Sequence, residues 1–447
     1  MQASEIFEAK VPRYTSYPTA PHFHAGIGPQ VYRQWLGELD SQSPLSLYLH
    51  IPFCDTLCWF CGCHTSVVNN YAPVAEYRDL LLREMGLVAR ALGRRHKVNH
   101  THWGGGSPTM LSPADIARLN AATRELFDVA EDAEFAVEVD PRGLTQASVD
   151  VLAEAGLTRA SIGVQDCDPA VQKAINRVQT MEETRAVVEM LRAAGVASIN
   201  LDLLYGLPLQ TLQSWENTLH FALSLAPDRL SVFGYAHLPS FKKHQALIST
   251  AQLPDVKARL RQAEIAGQIL GAHGYAAVGL DHYARPGDSM TKALAAGSLA
   301  RNFQGYTTDK AAALIGLGAS AIGSLPQGYV QNASAVPLYR AAVMQDRLPV
   351  ARGVALTAED RLRRHVIERL MCDLSADLDA ICAAHGASRA QLQESIGALA
   401  PLAAQGAVRI EGGHITIPRS WRVATRLVCA AFDSYLATGQ ARHSAAV

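Results

Sequence analysis

The chain has 447 residues, more than one hydrophobic core usually organises, so a large domain with a smaller appended one is expected. Forty Lys and Arg stand against forty-one Asp and Glu, which excludes attraction of the whole molecule to nucleic acid or to an anionic membrane surface. The N-terminal stretch carries no apolar segment of signal-peptide length, and no run reaches the roughly 18 apolar residues that span a bilayer. A cytoplasmic protein is therefore expected, without membrane insertion and without a nucleic-acid partner.

Residues 1–36, rich in Pro, Tyr and His, read as an irregular N-terminal arm. From Leu45 onward, short β-branched or alternating runs recur between amphipathic stretches, the pattern of βα units and a parallel sheet. The expected strands are Leu45–Ile51, Asn99–Trp103, Ala133–Val139, Thr158–Val164, Ala197–Leu203 and Arg229–Tyr235. Helices are expected between them, among them Pro73–Leu92 and Met181–Ala194, the latter closed by Gly195. Six units are too few for a closed eight-stranded barrel, leaving an open barrel or a doubly wound sheet. Unusual residues follow nearly every strand, which favours an open, partial (β/α)6 barrel of the α/β class occupying residues 37–340. Beyond it, residues 341–447 turn to Ala-, Leu- and Arg-rich sequence, with helices at Asp360–Leu370 and Ser388–Gln405 and an extended piece at Val408–Ile417. A mainly helical C-terminal domain is expected, its Arg361, Arg363 and Arg364 forming a solvated face rather than a nucleic-acid surface.

Four of the eight cysteines crowd into His50-Ile-Pro-Phe-Cys54-Asp-Thr-Leu-Cys58-Trp-Phe-Cys61-Gly-Cys63, directly after the first strand. Three closely spaced thiolates suit three irons of a cubane, whose fourth iron is then open to a small chelating molecule. Zinc is the competing reading, although structural zinc sites usually draw two pairs of thiols separated by a longer stretch. Cys167, Cys372, Cys382 and Cys429 are scattered and read as small buried hydrophobes.

C-x3-C-x2-C at this place resembles the signature of radical S-adenosylmethionine (SAM) enzymes. The likeness extends over nearly the whole chain to the oxygen-independent coproporphyrinogen III oxidases, also called coproporphyrinogen dehydrogenases. It is carried by Arg13-Tyr-Thr-Ser-Tyr-Pro-Thr19, His102-Trp-Gly-Gly-Gly106, Glu138-Val-Asp-Pro-Arg142, Gly163-Val-Gln-Asp166, Asn176-Arg177, Asp202-Leu-Leu-Tyr-Gly-Leu-Pro208, Tyr235-Ala-His-Leu-Pro239 and Arg301-Asn-Phe-Gln-Gly-Tyr-Thr-Thr308.

That resemblance implies a [4Fe–4S] cluster on Cys54, Cys58 and Cys61, with Cys63 close by but not a ligand. It implies one SAM molecule at Tyr48, Gly105, Glu138 and Ile322. A second is implied at Phe60, Gly106, Ser107, Gln165, Arg177, Asp202 and Ala236. The family usually has Thr at the position of Ser107, which keeps the hydroxyl. His50, His102 and His237 read as hydrogen-bonded structural residues. The implied reaction uses a 5′-deoxyadenosyl radical to convert two propionates of coproporphyrinogen III to vinyl groups, giving protoporphyrinogen IX in haem biosynthesis. An electron donor is implied as partner, and a monomer is expected. The alternatives are a haem-trafficking relative, a radical enzyme that modifies haem, and a zinc-dependent regulator with a winged helix.

Overall fold

Along the central strands every second side chain is apolar and packed under helices while its neighbours point into the barrel, and this two-faced pattern shapes the molecule. In β1 (Leu45–Ile51), Leu45, Leu47, Leu49 and Ile51 are fully buried, whereas Ser46, Tyr48 and His50 alternate with them. The same alternation runs through β2 (Lys97–Gly105), β3 (Asp128–Val139), β4 (Arg159–Gln165), β5 (Ser198–Tyr205) and β6 (Arg229–Gly234). Their second set includes His102, Glu138, Ser161, Asp202 and Ser231, which line one internal cavity of about 180 Å³. The computed structural model describes residues 5–436. The outer ends of the expected arm and C-terminal domain, residues 1–4 and 437–447, lie outside the described residues.

Helices Ala72–Leu92, Pro113–Leu126, Gln146–Glu154, Met181–Ala193 and Leu212–Ser224 follow successive strands. Their starts are set locally. Thr180 and Glu183 close a capping box, and Ser112 accepts the Asp115 N–H, which satisfies amides that the first turn leaves free. Leu81, Met85 and Val88 of the first helix belong to the same core as the outward leucines of β1.

Six more strands complete the sheet: β7 (Ala276–Val278), β8 (His282–Ala284), β9 (Ala313–Leu317), β10 (Ile322–Leu325), β11 (Gly328–Asn332) and β12 (Val350–Ala355). The order is β12-β11-β10-β9-β1-β2-β3-β4-β5-β6-β8-β7. β9 and β1 through β6 run parallel. The outer strands run antiparallel. β12 and β7 do not pair with each other, so the barrel is open, as the sequence led us to expect.

Three details of the arm and the sheet correct the sequence reading. A seventh parallel strand, β9, was not anticipated, because its five wholly buried residues follow irregular chain rather than a crossover helix. The arm is not irregular throughout: Pro29–Gly37 is a helix that buries Tyr32, Trp35 and Leu36. The sheet also runs past residue 340, since β12 pairs with β11.

The C-terminal region packs helix Ala358–Asp373 over a small sheet of Ser375–Asp377, Arg409–Glu411 and His414–Thr416. The continuous helix expected over Ser388–Gln405 is broken into Arg389–Leu392, Gln393–Ala398 and Ala400–Ala404, and Pro401 opens the last piece. Arg361 donates to Pro326 O at 2.5 Å, Arg363 pairs with Glu359 at 2.8 Å, and Arg364 lies over the Tyr329 ring at 5.4 Å. These contacts occupy the basic side chains within the fold. The arm runs against this region: Tyr14 Oη donates to Asp433 Oδ2 at 3.0 Å, and Tyr17 Oη is 2.9 Å from Ser434 Oγ.

Candidate active site

Cys54 ends a two-residue strand, Phe53–Cys54, that pairs with Ser66–Val67 and so folds the cysteine loop back on itself. The loop is pinned from outside: Asn176 Nδ2 donates to Leu57 O at 2.9 Å, and Gln245 Nε2 donates to Phe60 O at 2.9 Å. His244 Nε2 donates to Cys61 O at 2.8 Å, and Lys242 Nζ to Cys63 O at 2.8 Å. The thiols share one neighbourhood, since burial and then the adjacent Cys61 and Cys58 push the Cys54 thiol up to about 12. Cys63 donates to Cys61, which lowers Cys61 and raises Cys63.

Among the described residues no three His, Cys, Asp or Glu side chains converge on a single ion. A cubane does not demand that convergence, because each thiolate takes a different iron, so the donor set fits one. Two guanidinium groups stand beside the loop, Arg177 Nη1 at 3.5 Å and Arg142 Nη2 at 3.6 Å from Cys58 Sγ. Asp140 Oδ2 accepts from both, at 3.0 and 2.7 Å, and Arg177 also donates to Gly163 O at 2.8 Å. Arg177 thus ties the ends of β3 and β4 to the cysteine loop.

Gly104 and Gly105 end β2, and Gly106 follows it. A Cβ on Gly104 would lie 2.6 Å from Glu138 Oε1. One on Gly105, whose φ is +117°, would lie 2.6 Å from the His50 ring, and one on Gly106 2.5 Å from Phe53 O. Glycine is required at Gly105 by its positive φ and at Gly106 by the Phe53 backbone, whereas Gly104 meets only the end of the Glu138 side chain. Gly106 N–H donates to Ile51 O at 2.8 Å and Ser107 N–H to Phe53 O at 2.7 Å, fixing the turn against the segment that leads into Cys54.

Glu138 Oε2 accepts the Gly105 N–H at 3.0 Å, and His102 Nε2 lies 3.3 Å from Oε1. Burial would raise this carboxyl, but His102, the Gly105 N–H and His50 together hold it below the usual range. Its side chain nevertheless remains 39% exposed, because it faces the open cavity. His50 is bonded on both sides, by Tyr48 Oη at Nδ1 (3.0 Å) and to His64 O from Nε2 (3.0 Å). Burial lowers its pKa. His237 Nδ1 is 2.9 Å from Tyr235 Oη. All three histidines are hydrogen-bonded, in keeping with the structural reading.

Deeper in the cavity, Asp202 accepts from Ser161 Oγ at 2.9 Å and Asn200 Nδ2 at 2.8 Å, and burial raises its pKa. Gln165 ends β4 at φ +66°, a strained conformation for a residue with a side chain. Phe60 packs beside Val171, Ile175, Leu207 and Tyr235, and Ala236 follows the last of these. Ile322 belongs to the cluster of Phe23, Tyr329, Val354 and Leu356. Its carbonyl lies against Gly316, the strand partner of Tyr48. Tyr48, Gly105 and Glu138 therefore share one rim, and Cys58, Gln165 and Arg177 the other. Phe60 and Ala236 have an apolar setting that packing alone explains. Asp140 and Arg142 lie in the Glu138-Val-Asp-Pro-Arg142 segment that carries the resemblance, but neither is among the site residues that the resemblance implies. Cys372, Cys382 and Cys429 are buried and Cys167 half-buried, as expected of packed thiols.

Residues 48–222 match the radical SAM superfamily. Over 98% of both chains, the protein is 51% identical to an oxygen-independent coproporphyrinogen III oxidase of Bradyrhizobium diazoefficiens. One from Paracoccus denitrificans is 45% identical, covering 99% of this chain and 98% of its own. The chain belongs to the oxygen-independent coproporphyrinogen III oxidases. A solved structure of the coproporphyrinogen III oxidase from Escherichia coli, a radical SAM enzyme, superposes with a TM-score of 0.90 at 39% identity, covering 96% of this chain and all of that one. As a family within the radical SAM superfamily, these oxidases carry a [4Fe–4S] cluster and use SAM. Among the described residues no helix is long and apolar enough to cross a membrane.

Proposed function

We propose that this chain oxidatively decarboxylates two propionates of coproporphyrinogen III to vinyl groups without oxygen, giving protoporphyrinogen IX. The observation that carries this reading is the meeting of the cysteine loop, the Gly104–Gly106 turn and Glu138 at the mouth of a polar barrel, in a chain of this family. Cys54, Cys58 and Cys61 would hold the [4Fe–4S] cluster. With SAM bound, that cluster supplies the one-electron chemistry that yields a 5′-deoxyadenosyl radical able to take hydrogen from the propionate β-carbon.

The chain's own residues bind, orient and enclose. Glu138, with both oxygens already occupied by His102 and the Gly105 N–H, is fixed as an anion that can accept from an ammonium or a ribose hydroxyl. Tyr48, Gly105 and Ile322 complete that rim. Gly106, Ser107, Gln165, Arg177, Asp202, Ala236 and Phe60 make the second rim, where we place a second SAM, Arg177 offering a cation to its carboxylate. The arm Arg13–Thr19, held between the barrel and Asp433, closes the mouth and keeps competing hydrogen donors from the reacting carbon. An external electron donor and a cytoplasmic monomer complete the picture.

Anaerobically purified protein is expected to contain iron and sulfide, to cleave SAM with a reductant, and to produce protoporphyrinogen from coproporphyrinogen III. Haem binding without turnover would favour a trafficking role instead, and turnover of haem but not of the porphyrinogen a haem-modifying one. Zinc without iron or sulfide would favour a regulator.

A further inference from the structure

Arg13, Arg259 and Arg301, with Arg426 behind Arg13, bring guanidinium groups from distant parts of the chain to the end of β6. Arg13, from the arm, donates through Nη2 to Gly234 O at 3.1 Å, at the end of β6. Arg259 donates through Nη2 to Tyr235 O at 2.7 Å, one residue further, and its buried Nε has no protein partner. Arg301 lies over the Tyr306 ring at 4.4 Å, with Nε and Nη1 buried and without protein partners. Arg426 is buried close to Arg13. The acid that faces Arg13, Arg301 and Arg426 is Asp281, and its carboxylate already accepts from His282 Nδ1 at 2.7 Å.

Burial, and then the proximity of like charges, lowers the proton affinity of Arg259 and Arg426, the latter to about 10. Gathering cations out of water is costly unless an anion joins them. The place is not sealed, however: Arg13 is exposed to solvent. The Gly234 and Tyr235 carbonyls that Arg13 and Arg259 hold lead into Lys242, His244 and Gln245, which pin the cysteine loop, so these arginines stand on the segment that joins the end of β6 to the candidate cluster site. Guanidinium groups with N–H donors to spare bind carboxylates in preference to other common groups of a porphyrinogen, which are pyrrole N–H and hydrocarbon.

We propose that Arg13, Arg259 and Arg301, backed by Arg426, form the wall that receives the propionate carboxylates of the substrate and so decides which β-carbon meets the radical. This assignment rests on the reaction proposed above. A merely structural role for these residues would brace the rim without touching substrate affinity.

Kinetics of the reconstituted holoenzyme on coproporphyrinogen III separate the two. Arg259→Gln and Arg301→Gln are expected to raise KM by about tenfold or more while kcat changes by less than about threefold, with Lys at either position recovering part of the loss. A KM within about twofold of wild type in both folded glutamine variants overturns the proposal and leaves the reaction standing. A wild-type enzyme that makes no protoporphyrinogen overturns both. A second measurement needs no variant, namely phenylglyoxal modification of the wild-type holoenzyme mapped by mass spectrometry. Coproporphyrinogen III is expected to shield Arg13, Arg259 and Arg301, and unchanged modification in its presence contradicts the proposal.

Discussion

Gly105 donates its backbone N–H to Glu138 Oε2 at 3.0 Å, and that bond is possible because no side chain stands between β2 and the His50 ring. Gly105→Ala combines a positive φ with a Cβ 2.6 Å from a ring bonded on both sides, and such strain costs on the order of 1–3 kcal/mol. The variant should melt earlier and bind SAM at least about tenfold more weakly, since 1.4 kcal/mol is tenfold. Calorimetric titration of SAM into the anaerobically reconstituted protein reads the second effect. Wild-type affinity would remove Gly105 from the site.

Cysteine substitutions should divide into two classes. Serine at Cys54, Cys58 or Cys61 is expected to abolish stoichiometric iron and the visible absorption of a reconstituted cluster, because each thiolate holds its own iron. Serine at Cys372 or Cys429, which are fully buried, should leave cluster content intact and lower only stability. Cluster content that survives loss of Cys58 would mean the ligands are assigned wrongly.

Arg177→Lys tests the bridge between the two rims. Lysine keeps the charge but not the fork that reaches Asp140, Gly163 O and Cys58 Sγ together. Asp140 retains Arg142 as partner, so the loss of stability should stay near 1–2 kcal/mol rather than the larger cost of orphaning a buried charge. We expect SAM turnover to fall by about tenfold or more with a small change in thermal midpoint. The reverse pattern, a large loss of stability with activity preserved, would make Arg177 a structural brace alone.

Glu84 supplies a pH signature away from the site. Burial raises its carboxyl to about 7, against the pull of three donors, Tyr339 Oη at 2.6 Å, Gly318 N–H at 2.7 Å and Asn332 Nδ2 at 2.7 Å. The folded state therefore holds a proton that the unfolded state releases near pH 4.5. The contribution of Glu84 to stability should be greatest below about pH 4.5, fall as pH rises towards 7, and level off above, by on the order of 3 kcal/mol in all. In Glu84→Gln this slope should vanish from denaturant midpoints measured between pH 5 and 8. An unchanged slope would assign it to another group.

Deleting residues 1–20 removes Tyr14 and Tyr17, whose hydroxyls engage Asp433 and Ser434, together with Arg13 at the rim. The truncated enzyme should still cleave SAM but form much less product per 5′-deoxyadenosine released. Coupling equal to wild type would refute the proposed closure.

Much of the site was legible because chemistry-bearing residues stood at strand ends with distinctive spacing, as in the cysteine loop, the three glycines and Glu138. The parallel strands from Leu45 to Gly234 were legible because their outward positions are continuously apolar. What escaped was set by tertiary contact. β9 is recognisable only once β1 offers it an edge, and the short helix Pro29–Gly37 only once its Trp35 and Leu36 find the core. Asp140 and Arg142 gain a place in the site only once Arg177, thirty-five residues beyond Arg142 in the chain, folds onto Asp140. The arginine wall draws on the arm, the helix Val256–Ala272, the short strand Ala300–Asn302 and the C-terminal region, which no local pattern connects.

The central claim is tested most directly by incubating the anaerobically reconstituted protein with SAM, a low-potential reductant and coproporphyrinogen III labelled in its propionate carboxylates. The account predicts labelled carbon dioxide appearing with protoporphyrinogen and 5′-deoxyadenosine, and none of these products from protein lacking Cys58. Formation of 5′-deoxyadenosine with no labelled carbon dioxide and no protoporphyrinogen, from protein with a full cluster, would contradict it.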